Sequence, residues 1–291
     1  MDGQQPGQGQ RIFGISISPD GNTLVLTNAQ TAAAFRVAPS IGASTPLWQA
    51  ETGVELYSEF SPDGSVVAVS GDGRQLLAAD TGAALFPRSL PTAPQLSAGC
   101  GIAYYRFSHD GRRVAGTNYD YGVEIYDIAS LELLATLPSA GCSSGAAFSP
   151  DDDLIATGQP ELYRTDDSTR LWPQTIGTRD TNGFDSWSQF TKNGDQLVVS
   201  TCDGVLECHH EFYSAKTGVV VGSAESTRSF AVLSRDGRFF VGRGSVEDRI
   251  DGSKSLLRAE ADIDAAVFAP NDDIIAAVAD GSVHRFCAQH G

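Results

Sequence analysis

The chain has 291 residues, 36 acidic against 20 basic, for a formal net charge of -16 and a sequence pI near 4.5. With three lysines (Lys192, Lys216 and Lys254) and no run of Lys or Arg, this balance argues against nucleic-acid binding through phosphate neutralisation, and no stretch of eighteen apolar residues is present to span a membrane as a helix. It fits a solvated surface with many Asp turns, and favours a basic partner over an acidic one.

A hydrophobic residue running into a Ser-Pro-Asp-Gly turn, or a near variant, occurs seven times: Ile17-Ser-Pro-Asp-Gly21, Phe60-Ser-Pro-Asp-Gly64, Phe107-Ser-His-Asp-Gly111, Phe148-Ser-Pro-Asp-Asp152, Phe190-Thr-Lys-Asn-Gly194, Leu233-Ser-Arg-Asp-Gly237 and Phe268-Ala-Pro-Asn-Asp272. The gaps between successive copies are 43, 47, 41, 42, 43 and 35 residues. A period near forty with strand-like flanks predicts an all-β chain, a seven-bladed β-propeller of four-stranded antiparallel blades. Pro presets φ for a type I turn, Asp or Asn tolerates the bridge region, and Gly accepts a left-handed exit, so each copy joins two antiparallel strands.

Taken in chain order, residues 1–10 read as a disordered tail, because Gly, Gln and Pro without apolar partners do not offset the entropy of ordering. A single propeller then spans residues 11–288. In the second blade the apolar run 65–70 follows the turn, and Asp72-Gly73 makes a two-residue hairpin. The third blade offers second, third and fourth strands at 112–117, 122–127 and 131–136. The fourth offers a second strand at 153–157, and the fifth offers 196–200, the Asp203-Gly204 turn and 219–222. The seventh has 273–278, Asp280-Gly281 and 283–287, after which the chain ends at Gly291 with no outer strand. Either this blade is three-stranded or the natural chain continues, and a propeller within a longer chain is preferred. The strand entering each Ser-Pro-Asp-Gly turn is predicted to be the innermost.

The Phe-Ser-Pro-Asp-Gly turns, the Asp-Gly hairpins, the Tyr126-Asp127 pair and the Thr81-Gly82 and Thr217-Gly218 steps resemble those of the WD-repeat propellers and their bacterial WD-like relatives, over residues 11–288. The Trp-Asp dipeptide itself is absent, its place taken by Ala79-Asp80, Tyr126-Asp127, Trp172-Pro173 and Tyr213-Ser214. Gly99-Cys100 and Gly141-Cys142 stand near where the family has Gly-His. The resemblance implies a non-catalytic platform for protein or peptide partners.

Cys202 and Cys208 flank a loop of the fifth blade, and Cys100 and Cys142 end repeated Ser-Ala-Gly-Cys segments in neighbouring blades. Two disulfides with Cys287 free are expected, which favours an extracytoplasmic home; the alternative is five reduced, buried thiols in the cytoplasm. Cys202, Cys208, His209 and His210 lie close enough in sequence to suggest zinc, but consecutive strand histidines point to opposite faces. Gly141-Cys-Ser-Ser-Gly145 matches the serine-nucleophile motif without the helix that its chemistry needs. Asp151-Asp152-Asp153 lacks the spacing of a calcium loop. No catalytic residues, metal or cofactor are assigned.

Long insertions at 88–101, 158–169, 178–186 and 202–207 are expected mostly on the face that carries the inter-blade and second-to-third-strand connections. Tyr119, Tyr121, Tyr163 and Arg164, with Asp166 and Asp167, form the expected partner-binding patch there, whereas Trp187 is expected to pack between blades. The alternative is a propeller hydrolase or lactonase, or a small-ligand binder, using the central channel with Asp166 or Asp167 at its mouth.

Overall fold

The computed structural model describes residues 12–28, 30–37, 45–52, 55–71, 75–85, 105–118, 122–130, 132–138, 145–157, 161–172, 186–191, 193–202, 207–227, 232–234, 239–242, 245–248, 254–256, 263–271, 273–278 and 283–286. The expected tail at 1–10, together with Tyr119, Tyr121, Cys100, Cys142, Cys287 and the serines of Gly141 to Gly145, lies outside the described residues. Within them the regular elements are all strands, and no helix is long and apolar enough to cross a membrane.

The strands group locally, each pairing with the next in sequence. β1 (Gly14–Ile17), β2 (Thr23–Thr27), β3 (Thr31–Arg36) and β4 (Trp48–Glu51) make the first sheet, and β5 (Glu55–Phe60), β6 (Val66–Gly71) and β7 (Gln75–Ala78) the second. The third contains β8 (Tyr105–Phe107), β9 (Arg113–Asn118), β10 (Gly122–Asp127) and β11 (Leu133–Leu137); the fourth contains β12 (Ala146–Phe148), β13 (Leu154–Thr157) and β14 (Leu162–Arg164). β15 (Ser186–Phe190), β16 (Gln196–Cys202), β17 (Glu207–Ser214) and β18 (Val220–Thr227) form the fifth. The sixth has β19 (Val232–Leu233), β20 (Phe239–Gly242), β21 (Ser245–Asp248) and β22 (Lys254–Leu256), and the seventh β23 (Ile263–Phe268), β24 (Ile274–Val278) and β25 (Val283–Phe286).

Each of the seven turn copies therefore opens one antiparallel sheet, and the strand before it is always the first of that sheet. Among the described residues the second and fourth sheets have three strands rather than the expected four, and the seventh has the three that its sequence offers. The second and fourth add an isolated bridge beyond the third strand, Leu77 to Ala84 and Tyr163 to Arg170, and the seventh ends at β25.

The second turn shows why Ser and Asp recur. Ser61 Oγ donates to Asp63 Oδ1 at 2.6 Å and accepts the Val66 amide at 2.9 Å, while Gly64 N closes the turn on Ser61 O at 2.8 Å. The Ser61 hydroxyl, helped by the Ser65 amide, holds the Asp63 carboxyl below the usual range. The same serine-to-aspartate bond recurs at Ser18–Asp20, Ser108–Asp110 and Ser149–Asp151, with Thr191–Asn193 as a neutral version.

Gly64 sits at φ 72°, where a Cβ would lie 3.3 Å from Pro19 Cδ of the preceding turn. Left-handed backbone and close approach thus both ask for glycine. The prolines Pro150 and Pro270 abut Gly194 and Gly21 in the same way.

Two compact units divide the chain: Met1–Leu90 with Phe230–Gly291, and Pro91–Ser229. In each, the apolar core lies between successive sheets, because the middle strands bury both faces. In the first unit Ile15, Leu24 and Phe35 of the first sheet pack on Ala265, Ile275 and Ala277 of the seventh. Val25, Ala34 and Trp48 pack on Phe60, Val67 and Leu77 of the second, and Val241 of the sixth packs on Ala266 and Ile274. In the other unit, Ala115, Ile125 and Leu137 meet Ile155 and Tyr163, while Leu162 and Trp172 meet Leu197 and Tyr213.

Candidate functional site

The unit Pro91–Ser229 has a pattern that sequence reasoning missed. Strands β10 and β17, and the start of β14, each carry Glu-x-Tyr, at Glu124 and Tyr126, Glu161 and Tyr163, and Glu211 and Tyr213. Residues two apart share a strand face, so each phenol reaches its own glutamate. The Tyr126 hydroxyl donates to Glu124 Oε2 at 2.7 Å, Tyr163 to Glu161 Oε2 at 2.8 Å, and Tyr213 to Glu211. Burial, then the glutamate bond, pushes the phenols of Tyr163 and Tyr213 well above their ordinary value. Glu161 is buried and is also paired with Arg170 at 3.0 Å. Repetition at one strand position is the signal that would have revealed the set.

Tyr163 was expected to face a partner. Its ring is instead 3% exposed in the core between the third and fourth sheets, and its hydroxyl also bonds Pro138 O at 2.9 Å. Sheets on both sides are the reason: Leu162 packs toward the fifth sheet and Tyr163 toward the third, and only Arg164, the last residue of β14, is exposed. The insertion 158–169 is not one loop. Its middle is the third strand of the fourth sheet, so exposed Arg164 is the last residue of that strand and exposed Asp166 and Asp167 belong to the connection after it, at the opposite end from the one expected. Thr165 N donates to Asp153 O at 3.0 Å, which ties this connection to the Ser149 turn. Ile128 N to Arg112 O and Ala215 N to Asp195 O do the same for the third and fifth sheets.

Trp172 also occupies a different place from the one expected. It follows the outer bridge of the fourth sheet, and its indole donates to Ala215 O in the fifth at 3.2 Å. Trp48, on the fourth strand of the first sheet, likewise donates to Ala79 O in the second at 2.8 Å. Both indoles are therefore outer-strand anchors between sheets, rather than substitutes for the Trp of Trp-Asp. Trp187 lies on β15, and Cys202 and Cys208 are opposite each other where β16 and β17 end.

At the third-to-fourth junction, His109 replaces the proline of one turn and Asp152 the glycine of the next. His109 has an amide hydrogen that proline lacks. Asp152 accepts the His109 and Asp110 amides, both at 2.7 Å, and contacts His109 Nδ1 at 3.1 Å. Its carbonyl accepts Arg113 Nη2 at 3.1 Å and Thr165 Oγ1 at 2.6 Å. These bonds hold a non-glycine residue at φ 61°, and they leave the carboxyl committed to the scaffold.

One buried pair has the grammar of nucleophilic catalysis. His210 Nδ1 lies 2.7 Å from Ser200 Oγ across the β16–β17 ladder. His210 is 0% and Ser200 2% exposed, so no substrate reaches them, and burial pushes the His210 imidazole down to about 4. Its neighbour His209 faces the other way and is partly exposed. Among the described residues no group of three or more His, Cys, Asp or Glu is placed to hold a metal ion.

The accessible feature of this unit is apolar. Leu133, Leu134, Leu171, Val219, Val220 and Val221 are 39% to 60% exposed, and every one lies at the start of an outer strand or outer segment. Each start follows a connection tied to the Ser-Pro-Asp-Gly end, so the six residues lie at that end of the last strand or segment of the third, fourth and fifth sheets. β18 is the last strand of its sheet, with no strand on its far side among the described residues. At its start, side chains of both parities reach solvent, Val220 and Val221 alike. Arg164, Asp166 and Asp167 stand just before Leu171 at the same end.

No known protein-family model matches this chain, and no curated protein matches it.

Proposed function

We propose that the chain is a WD-like, seven-bladed β-propeller that acts as a non-catalytic scaffold, holding an extended, basic segment of a protein partner along the outer rim of its third, fourth and fifth blades. The ring reading is supported by the turn period and by the packing of the first sheet on the seventh.

The observation that carries the binding reading is the rim itself. Three consecutive exposed valines, Val219 just before β18 and Val220 and Val221 within it, lead into an edge strand of eight residues, a combination that natural sheets usually blunt with charge or proline. Such an edge offers main-chain donors and acceptors to an added strand, and exposed valine and leucine side chains to its apolar residues. The net charge of -16 and the Asp166-Asp167 pair beside the rim favour a partner with Lys or Arg among those residues.

The test is affinity capture by the purified chain and by a variant carrying Leu134→Lys, Val219→Lys and Val221→Lys, with identical thermal unfolding as the control for folding. The native chain is expected to retain a stoichiometric partner with a basic, extended segment, and the variant to lose it. The same partner held equally by both proteins removes the rim from the reading.

A further inference from the structure

The end of the β16–β17 ladder has a register that places two cysteines for chemistry. Ala215 N donates to Asp195 O at 2.9 Å, and the ladder continues without a shift from Gln196 opposite Ser214 to Cys202 opposite Cys208. Hydrogen-bonded and non-hydrogen-bonded pairs alternate along an antiparallel ladder. Counting by twos from the bonded pair Asp195 and Ala215 makes Leu197 with Tyr213, Val199 with Glu211 and Thr201 with His209 bonded pairs. Ser200 with His210, and Cys202 with Cys208, are then non-bonded pairs. The 2.7 Å contact between Ser200 Oγ and His210 Nδ1 fits this, because side chains approach most closely at such pairs.

At a non-bonded pair the Cα atoms are about 4.5 Å apart, inside the range of about 4.4–6.8 Å that a disulfide spans. We propose that Cys202 and Cys208 are a disulfide-forming pair that staples the β16–β17 hairpin across residues 203–207. The reaction is thiol–disulfide exchange with a low-molecular-weight disulfide such as oxidised glutathione. One cysteine attacks it, forming a mixed disulfide and releasing one glutathione thiol. The second cysteine then attacks the mixed disulfide and releases the other, so the cysteines lose two electrons and their two protons leave on the glutathiones. The pairing is fixed by backbone register and needs neither Cys100 nor Cys142. It is independent of the scaffold reading above.

The full chain is equilibrated with glutathione at oxidising and at reducing ratios, alkylated in denaturant and mapped by peptide mass. Expected under oxidising conditions is an unalkylated peptide containing both Cys202 and Cys208, about 2 Da below its dithiol mass; under reducing conditions it carries two alkyl groups. Reduction is also expected to lower Tm by roughly 5 °C, a shift that the Cys202→Ser, Cys208→Ser double variant lacks. Alkylation of both cysteines at oxidising ratios, or their linkage to Cys100, Cys142 or Cys287, overturns the proposal. A reduction shift of equal size in the double variant overturns the staple.

Discussion

Asp152 and His210 show how single residues are held by contacts that composition does not reveal. Asp152 occupies a left-handed conformation that costs an L side chain energy, and the His109 and Asp110 amides repay that cost through its carboxyl. Asp152→Ala keeps the unfavourable backbone and strips both amides of their acceptor, so a loss of about 2–4 kcal/mol is expected in urea unfolding. Asp152→Gly relieves the backbone and should lose less. Equal losses would mean that strain contributes nothing. His210 gives a pH signature of definite sign. Its folded value, about 4, lies below the ordinary imidazole value of about 6.5, so the unfolded chain binds the proton first. This contribution is present above about 6.5 and is lost as pH falls to about 4, for a total of about 3 kcal/mol. Urea unfolding at pH 7, 5.5 and 4 checks it: His210→Gln, which keeps a polar partner for Ser200, should flatten that slope, and an unchanged slope would assign it to other groups.

Among the elements, the sheets differ most in their outer strands. Second strands such as β2 and β13 are enclosed by neighbours on both faces, which is why they read as unbroken apolar runs. β18 opens with two apolar residues as well, Val220 and Val221, yet both are exposed. Hydropathy alone does not separate these cases, because position in the sheet decides which apolar run is covered. Val219→Lys and Val221→Lys should therefore change stability by less than about 0.5 kcal/mol each in urea unfolding. A loss of 2 kcal/mol or more, the scale of about one core truncation, would show that these valines are covered in solution. The fourth sheet carries the complementary lesson. Its third strand was read as loop because Glu161-Leu162-Tyr163 is short and follows Gly and Pro, although the same Glu-x-Tyr step lies in the neighbouring third strands.

For the whole molecule, the first unit unites the two ends of the described chain, with Ile15 and Phe35 packed against Ile275 and Ala277. A closed ring needs such a junction, since each sheet buries its faces only against neighbours and a terminal sheet would otherwise leave one face wet. If the seven sheets close into a single ring, small-angle scattering should give a radius of gyration of about 19 Å, the value for a compact chain of this length. A markedly larger radius, with a two-lobed distance distribution, would show that the two units are separate bodies and would overturn the ring.

The sequence by itself determined the all-β class and where each described sheet begins, because Ser, Pro, Asp and Gly act within five residues through the turn they close. It also determined that His209 and His210 face opposite ways, since strand alternation is local. Tertiary structure decided what those residues then meet. Tyr163 is a core ring rather than a contact, Trp172 is an anchor onto the next sheet, and Arg164, Asp166 and Asp167 lie at the turn end. The physical reason is that burial here is set between sheets, by residues 31 to 43 positions apart such as Trp48 and Ala79 or Trp172 and Ala215. A local pattern gives a strand its two faces, and only its neighbours decide which face is covered.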